Sequence, residues 1–354
     1  MTLQEAIGQL FILGFDGDRP TERLREFVRD LAPGGVILFG RNLGTPEEIA
    51  VLIDALQAIS STPLFVAIDQ EGGKVARLQA PFTRWPSADA VGAADSPDLT
   101  RAIAASIGRE LMAVGINMDM APVLDVLTNP ANPVMAGRSY GSDPRMVARH
   151  GIAFFKGLAE QGVIAVGKHF PGHGDTTVDS HLALPLVSHD LDRLSTIEFI
   201  PFVASIEADI PALMTAHLLI PALDPDRPAT LSRRILTDLL RAQMSFDGLI
   251  ISDDLLMQGI AESTSPGEAG VRFLEAGGDL MLICQDEAAQ RQALRAVVDA
   301  VEIGRLSEER VQASYDRIAR VKAQYLRDGR EASPGEIGAI VGCAAHRRLA
   351  ARAQ

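Results

Sequence analysis

Eight short apolar runs recur along the chain, and amphipathic stretches separate them. The runs cover residues 8–15, 36–40, 64–69, 116–122, 163–170, 212–217, 249–254 and 280–284. Most are rich in Val, Ile and Leu without clean alternation of polar residues, which is typical of strands buried on both faces. The pattern therefore predicts eight strands that alternate with helices.

Several of the predicted helices have recognisable starts and ends. Thr45 precedes Pro46 and Glu48, which places a capping side chain directly before a proline at the first helical position. Similar openings occur at 96–97, 142–144 and 265–266. Gly115 and Gly162 mark the expected ends of helices over 98–114 and 145–161.

The alternation of eight strands and helices in 354 residues predicts a single (β/α)8 barrel of the TIM type. An open, doubly wound sheet is the alternative. It would normally carry a glycine-rich phosphate loop, and the chain contains neither GxGxxG nor GxxxxGKS. We expect one catalytic barrel domain over residues 1–354, with a helical tail from about residue 333 to residue 354 packed on it.

Composition limits the partners and the compartment. The net charge is −13, from 33 basic and 46 acidic residues, and no basic run is longer than a pair, so we expect no nucleic-acid partner. Cys284 and Cys343 lack a CxxC spacing, which favours free thiols in a reducing compartment. Without a cleavable leader or an apolar run near the roughly 20 residues of a membrane span, we expect a cytoplasmic monomer without a membrane partner.

Polar side chains collect where five of the predicted strands end. They are Asp69 with Arg77 beyond it, Asp119 and Asp125, Lys168 and His169, His217, and Asp253 with Asp254. The active site of such a barrel lies at the C-terminal ends of the strands. These polar endings therefore predict one active site at that mouth.

Two neighbouring carboxylates at the end of run 249–254 receive different interpretations. Asp253 is carried to the mouth and is interpreted as a nucleophile for an electrophilic carbon. Asp254 lies nearer the next helix and is interpreted as its N-cap.

The glycine-containing segment KHFPGHGDTTVDSH places Asp179 two residues before His181. In extended backbone such residues share a side, so the carboxylate can orient the imidazole and favour its protonated form. Because the ordinary pKa of histidine is about 6.5, this pair is suited to general acid/base catalysis.

Metal binding is the minority interpretation of the same segment. His169 and His173 are ligand types, but Pro171 and Gly172 separate them, so they are not a helical i, i+4 pair. The adjacent Lys168 also disfavours a divalent cation. We expect no metal and no cofactor.

The donors Arg77, Arg138, Lys168 and His169 predict a neutral ligand that is rich in oxygen atoms, hence a sugar. Together with the catalytic candidates, they lie in motifs similar to those of glycoside hydrolase family 3, in particular its short, single-domain bacterial β-N-acetylglucosaminidases. The motifs are GGVILFGRN (34–42), VAIDQEGGKVARL (66–78), KHFPGHGDTTVDSH (168–181), MTAH (214–217), PATLS (228–232) and SDDLLM (252–257).

The resemblance implies a role for each matching position. Asp253 matches the nucleophile, His181 the acid/base and Asp179 its partner. The residues that match those holding a terminal N-acetylglucosamine are Asp69, Arg77, Arg138, Lys168 and His169. The implied substrate is a peptidoglycan fragment, N-acetylglucosamine linked to 1,6-anhydro-N-acetylmuramic acid, met in the cytoplasm during wall recycling. The chain departs from the family at Lys74, where arginine is usual.

The expected reaction is retaining hydrolysis by double displacement. Phosphorolysis is a close alternative, because a histidine acid/base would not repel a phosphate acceptor. Catalysis assisted by the acetamido group of the substrate is a second, although SDD lacks the Asp-Glu pair that this chemistry usually needs. A metal-dependent hydrolase and a sugar-binding barrel without catalysis complete the alternatives.

Overall fold

Eight parallel strands close into a barrel in chain order. In this computed structural model, which describes residues 2–180, 182–326 and 334–353, each strand overlaps one predicted run, so the (β/α)8 prediction is confirmed. The strands are β1 (Phe11–Gly14), β2 (Gly35–Leu38), β3 (Phe65–Ile68), β4 (Met118–Asp119), β5 (Ile164–Phe170), β6 (Ala212–Thr215), β7 (Leu249–Asp254) and β8 (Leu280–Ile283). Pairing of β1 with both β2 and β8 closes the barrel.

Helices surround the barrel and follow its strands. They are α1 (Leu3–Gly8), α2 (Glu22–Leu31), α3 (Pro46–Ile59), α4 (Ala88–Ala93), α5 (Pro97–Ala113), α6 (Pro144–Ala159), α7 (Leu191–Thr196), α8 (Ile200–Glu207), α9 (Gln258–Ala261), α10 (Pro266–Ala276), α11 (Glu287–Glu302), α12 (Glu308–Tyr325), α13 (Pro334–Ile340) and α14 (Ala344–Ala350). A helix with π-type hydrogen bonding covers Arg234–Gln243, and 3-10 turns cover Gly40–Asn42, Ala229–Leu231 and Ala351–Ala353. None of these helices, over the described part of the chain, combines the length and the apolar content that crossing a membrane requires.

The predicted helix starts are confirmed. Thr45 Oγ1 accepts a hydrogen bond from the Glu48 amide (3.2 Å), and the Glu48 carboxylate accepts one from the Thr45 amide (2.9 Å), which forms a complete capping box. Ser96, Asp143 and Ser265 cap the helices that begin at the prolines after them. These caps fix where each helix departs from the strand before it.

A buried lysine lies on α12, far from the predicted site in sequence. Lys322 Nζ donates to Gln9 Oε1 (2.7 Å) and lies 5.0 Å from the centre of the Phe65 ring. The side-chain Nε2 of Gln9 in turn donates to the Ala32 carbonyl (2.8 Å). Burial lowers the pKa of Lys322 to about 7, because the ammonium has lost its water.

The last two helices contact the outer layer of the barrel through one buried carboxylate. Glu110 on α5 accepts hydrogen bonds from the Thr83 amide (3.0 Å), the Thr83 hydroxyl (2.6 Å) and the Gly342 amide (2.9 Å). His346 Nδ1 on α14 lies 2.7 Å from the same carboxylate. These contacts outweigh burial and hold the pKa of Glu110 below its usual range.

We predict that Glu110→Ala lowers the free energy of unfolding by about 3 kcal/mol, because it leaves buried donors without an acceptor. Urea unfolding followed by circular dichroism measures the change. Arg109→Ala, at an exposed position of the same helix, is the matched control and should cost less than about 0.5 kcal/mol. Equal effects of the two substitutions would contradict the assignment.

Candidate active site

A cavity of about 400 Å³ lies at the C-terminal ends of the strands, where the polar strand endings predicted it. Its apolar walls are Ile37, Phe39, Val75, Met120, Val134, Met135, Met214, Met257 and Leu282. Its polar walls are Arg41, Asp69, Arg77, Arg138, Lys168, His169, His173, Ser180, Asp253, Asp254, Cys284 and Gln285. A cavity that combines apolar walls with convergent polar groups is the usual form of a small-molecule site.

The cavity brings together six of the eight residues predicted for the site. They are Asp69, Arg77, Arg138, Lys168, His169 and Asp253. Asp179 is half-buried and directly precedes Ser180, which lines the cavity. His181 lies outside the described residues. The exposed Lys74 does not line the cavity.

Two strands carry an extra residue at the point where they reach the cavity. Gly167 and Phe170 of β5 pair with Leu213 and Thr215 of β6, so three steps on β5 match two on its neighbour. The same mismatch separates β7 from β8 between Ile251 and Asp254. Consecutive residues of a regular strand face opposite ways, and an extra residue redirects a side chain. This explains why consecutive residues, 168–169 and 253–254, line one cavity.

Lys168 is the centre of a buried ion network. Its ammonium lies 2.9 Å from Asp69 Oδ1 and 2.7 Å from Glu71 Oε1, and its side chain is 2% exposed. Arg138 binds Glu71 through two hydrogen bonds of 2.9 and 2.7 Å. Burial opposes ionisation of both carboxyls, but the cations outweigh it, so the pKa values of Asp69 and Glu71 lie below their usual range. The same carboxylates raise the pKa of Lys168 despite its burial.

Arg77 contributes a further donor. Its Nη2 donates to Asp69 Oδ2 (3.0 Å), and its guanidinium lies 5.7 Å from the centre of the Phe39 ring. Its buried Nε has no acceptor within the described ranges of the chain. A buried N–H without a partner is costly.

Asp125 orients both histidines of the KHFPGHG segment. Its carboxylate lies 2.7 Å from His169 Nδ1 and accepts a hydrogen bond from the His173 amide (2.6 Å). Burial opposes its ionisation, but His169 and His173 outweigh it, so the pKa of Asp125 lies below its usual range. Burial, with a smaller contribution from His169, lowers the pKa of His173 to about 4, so His173 is neutral at pH 7.

His173 connects this carboxylate to the loop that precedes position 181. Its Nδ1 lies 2.8 Å from the Thr176 hydroxyl and its Nε2 lies 3.1 Å from the Ser180 hydroxyl. The Ser180 carbonyl also accepts a hydrogen bond from the Gly259 amide (3.1 Å). Gly174 is required where the loop turns, because a Cβ there would lie 1.8 Å from the Val126 carbonyl oxygen. These contacts hold the loop against the cavity.

The interpretation of Asp254 as a helix N-cap is wrong. The next helix begins at Gln258 with Met257 at its cap position. Asp254 Oδ1 instead accepts hydrogen bonds from the amides of Leu256 and Cys284, each 3.2 Å long, because β7 extends to this residue. Its pKa is raised by burial. Asp253 Oδ1 accepts only the adjacent Asp254 amide (2.8 Å) among the bonds found for it in the described chain.

Besides Asp125, two of the predicted polar strand endings, His217 and Asp119, lie outside the cavity wall. His217 is buried, with Nδ1 2.8 Å from the Thr230 hydroxyl and Nε2 2.9 Å from the Asp254 carbonyl. Asp119 is fully buried; its Oδ1 accepts the Gln70 amide (2.9 Å) and its Oδ2 has no partner among the described residues. Burial raises the pKa of Asp119 to about 8, against the lowering effect of that amide and of Lys168.

Sequence reasoning did not assign roles to Glu71, Asp125, His173 or Ser180. Glu71 lies two residues after Asp69 in a motif already noted, but nothing in the sequence says that it neutralises Lys168 and Arg138. The sequence marks Asp125 only as a polar strand ending. In residues 2–180, 182–326 and 334–353, no group of three or more His, Cys, Asp or Glu side chains is arranged to hold a metal ion.

Comparison with known proteins gives a consistent family. Residues 2–321 match the Glycosyl hydrolase family 3 N terminal domain. Beta-hexosaminidase A of Pseudoalteromonas piscicida is 35% identical over 99% of this chain, which spans 66% of that relative. Beta-hexosaminidase of Pseudomonas aeruginosa is 38% identical over 81% of this chain and 85% of its own length.

A solved structure shares the fold over the whole chain. It is a glycoside hydrolase family 3 beta-N-acetylglucosaminidase from Paenibacillus sp. str. FPU-7, with 39% identity and a TM-score of 0.94. The match covers 100% of this chain and 68% of that one. The first of the curated relatives and this structure are therefore both longer than the chain described here.

We predict that ionisation of Asp119 lowers the free energy of unfolding as the pH rises from about 4 to about 8, and that Asp119→Asn removes this decrease. The folded protein keeps the Asp119 proton up to about pH 8, whereas an unfolded chain loses it near its ordinary pKa of 3.8. The free energy of unfolding of the unmodified protein therefore decreases as the pH rises, by at most about 1.4 kcal/mol per pH unit from this group. Asparagine cannot ionise, so the variant should become the more stable protein towards pH 8.

Urea unfolding at four pH values from 5 to about 8 measures this difference. Asp192→Asn, at an exposed position of α7, is the control and should follow the unmodified protein at every pH. If the free energy of unfolding of Asp119→Asn changed with pH in the same way as that of the unmodified protein, the raised pKa of Asp119 would be contradicted.

Proposed function

This chain belongs to glycoside hydrolase family 3, and we propose that it is a retaining exo-β-N-acetylglucosaminidase with Asp253 as nucleophile. His181 would be the acid/base and Asp179 its partner. The observation that carries the proposal is that Asp253 lines the same cavity of about 400 Å³ as a set of hydrogen-bond donors. Those donors belong to Arg77, Lys168 and His169.

The network around Lys168 supports recognition of one terminal sugar. Its carboxylate and ammonium groups can accept and donate hydrogen bonds to ring hydroxyls, and charged partners strengthen such bonds. Asp69, Arg77, Arg138, Lys168 and His169 are the residues proposed to hold that sugar. Because the two carboxylates and the three cations of the network form ion pairs with one another, its donors stay in place before substrate binds.

The proposed chemistry proceeds in two displacements. Asp253 attacks the anomeric carbon as the glycosidic bond breaks, while His181 gives its proton to the departing oxygen. Water then attacks the same carbon, His181 takes a proton from that water, and the bond to Asp253 breaks. Two inversions at one carbon retain the configuration. The reaction needs no cofactor, because the nucleophile and the proton carrier are side chains.

We further propose that the natural substrate is a peptidoglycan fragment, N-acetylglucosamine linked to 1,6-anhydro-N-acetylmuramic acid, met in the cytoplasm. The similarity of the KHFPGHGDTTVDSH and SDDLLM motifs to single-domain bacterial enzymes supports this substrate. The names of the bacterial relatives, beta-hexosaminidases, agree with an N-acetylhexosamine at the cleaved end.

We predict that Asp253→Asn lowers kcat for 4-nitrophenyl N-acetyl-β-glucosaminide by roughly four orders of magnitude or more, because the nucleophile is lost. Asparagine can still accept the Asp254 amide, so the fold should persist. Asp254→Asn is the matched variant one residue along the strand, and its loss should be much smaller. A larger loss in Asp254→Asn would reassign the nucleophile.

The same assay, run with and without inorganic phosphate, distinguishes hydrolysis from phosphorolysis. We expect free N-acetylglucosamine in both buffers. Formation of the sugar 1-phosphate would overturn hydrolysis, while the role of Asp253 would still be judged by the variants.

Mass spectrometry of the protein treated with a fluorinated sugar that traps the intermediate should find the adduct on Asp253. An unmodified Asp253 in an active enzyme would favour attack by the acetamido group of the substrate.

We predict that Ser180→Ala lowers kcat about tenfold with little change in KM, because it removes the hydroxyl that connects His173 Nε2 to the residue directly before the proposed acid/base. The thermal midpoint should change by less than about 3 °C, since one hydrogen bond is lost. Ser180→Thr keeps a hydroxyl and should recover part of the rate. Ser106→Ala on α5 is the control. A loss of kcat accompanied by a fall in the thermal midpoint of more than about 3 °C would indicate a purely structural role for Ser180.

A further inference from the structure

The segment that follows β6 contacts both catalytic parts of the proposed site. On one side, His217 forms a hydrogen bond with β7, the strand of the proposed nucleophile. On the other side, Leu219 pairs with the loop between β5 and α7, which we call the acid/base loop. The Leu219 amide donates to the Pro185 carbonyl (2.9 Å), and the Leu219 carbonyl accepts the Val187 amide (2.9 Å). The segment after β6 therefore connects the nucleophile strand to this loop.

The orientation of the His217 ring is determined at both of its nitrogen atoms. Its Nε2 lies 2.9 Å from the Asp254 carbonyl, and a carbonyl can only accept, so Nε2 carries a proton. Its Nδ1 lies 2.8 Å from the Thr230 hydroxyl, which also accepts a hydrogen bond from the Thr215 hydroxyl (3.0 Å). The side chain is fully buried. His217 is therefore a fixed donor that points at β7.

The residue that His217 holds directly supports the proposed nucleophile. The Asp254 amide donates to Asp253 Oδ1 (2.8 Å). The Asp254 carbonyl accepts the Met257 amide (3.0 Å) in addition to His217 Nε2, so both of its acceptor positions are used. A change at His217 would therefore loosen the peptide that follows Asp254 and, through the Asp254 amide, the position of the Asp253 carboxylate.

His217 also packs against the helix that holds the acid/base loop. The Gly259 amide on α9 donates to the Ser180 carbonyl (3.1 Å), directly before the proposed acid/base. A Cβ at position 259 would lie 3.2 Å from His217 Cβ and 3.2 Å from the Ser180 carbonyl oxygen. Glycine therefore fits between the two, whereas a larger residue would displace one of them. The position of His217 is thus transmitted to the loop through Gly259.

We propose that His217 is a positioning residue that fixes the proposed nucleophile and the acid/base loop relative to each other. It lies outside the wall of the active-site cavity, so it acts through Asp254 and Gly259 and not on the substrate. The inference rests on the proposed glycosidase function, because only then do both groups act on one C–O bond. Attack on the carbon and protonation of the oxygen must be aligned, so a small displacement of either group lowers the rate.

Two substrates distinguish attack from proton transfer. The 4-nitrophenyl glycoside releases a phenolate that departs with little protonation, whereas the departing sugar of chitobiose requires a proton. In His217→Leu, kcat/KM should fall about tenfold for the aryl substrate and about a hundredfold for chitobiose. An unchanged kcat/KM for the aryl substrate would overturn the support of Asp253. Equal decreases for the two substrates would overturn the connection to the acid/base loop.

A conservative variant and an inhibitor separate positioning from general disruption. In His217→Gln, the side-chain amide can still donate to the Asp254 carbonyl, so most of the rate should be recovered with both substrates. Inhibition by free N-acetylglucosamine should change less than about twofold in His217→Leu, because the ion network around Lys168 lies on other strands. An inhibition constant that rises as much as kcat/KM falls would overturn the positioning role.

A second position tests the same contact while keeping the imidazole. Thr230→Val removes the hydroxyl at His217 Nδ1 and should lower kcat/KM for chitobiose about fivefold, whereas Thr230→Ser keeps the hydroxyl and most of the rate. Equal rates in Thr230→Val and the unmodified protein would overturn the role of the ring orientation. Arg233→Ala, at an exposed position nearby, is the control and should leave both substrates unaffected.

The unmodified protein separates this inference from the proposed function. If it hydrolyses neither substrate, the proposed function is overturned and this inference with it. If it hydrolyses both and a folded His217→Leu variant does so equally well, only the positioning role of His217 is overturned. Circular dichroism establishes that the variant is folded.

Discussion

The ammonium group of Lys168 imposes the constraint on which the candidate site depends. A buried cation must be neutralised in place, and here Asp69 and Glu71 do so at 2.9 and 2.7 Å. Each of these carboxylates then holds one arginine: Arg77 lies against Asp69 and Arg138 against Glu71. The positions of four charged side chains therefore follow from the burial of one. Such a network resists rearrangement when a ligand enters, because any movement would expose an unpaired charge to a medium that solvates it poorly.

A separate buried carboxylate, Asp125, holds the two histidines of the KHFPGHG segment. Asp125 fixes His169 on the strand and the His173 amide in the loop, and the neutral His173 ring then contacts the Ser180 hydroxyl. Both networks begin on β5, with Lys168 in the first and His169 in the second, and both continue outside the barrel strands. The first continues to Arg77 and Arg138. The second continues through His173 to Ser180, so it is the one connected to the segment that carries Asp179.

Much of the fold could be predicted from the sequence, because local physics determines it. Apolar runs specify buried strands, and Thr45 before Pro46 specifies a helix start without reference to the rest of the chain. The common mouth of Asp69, Lys168, His169 and Asp253 followed from barrel geometry alone. The extra residues in β5 and β7 could not be predicted, because they arise from pairing with neighbouring strands. For the same reason Asp254, predicted to cap a helix, instead continues a strand. Asp119 and Asp69 look alike in the sequence but differ in charge, because Asp69 contacts Lys168 and Arg77 whereas Asp119 Oδ2 has no partner among the described residues.

Lys322, the buried lysine on α12, has a consequence for how folding exchanges protons with the solvent. With a pKa of about 7 in the folded protein and 10.5 when exposed, it releases a proton on folding above neutral pH, whereas Asp119, at about 8 against 3.8, takes one up below pH 8. Between about pH 7 and pH 8 the two transfers offset each other. For these two groups, the heat of folding in a calorimeter then depends least on the ionisation enthalpy of the buffer in that range. At lower pH folding takes up protons and at higher pH folding releases them, so the dependence of the heat of folding on the buffer has opposite signs on the two sides of this range.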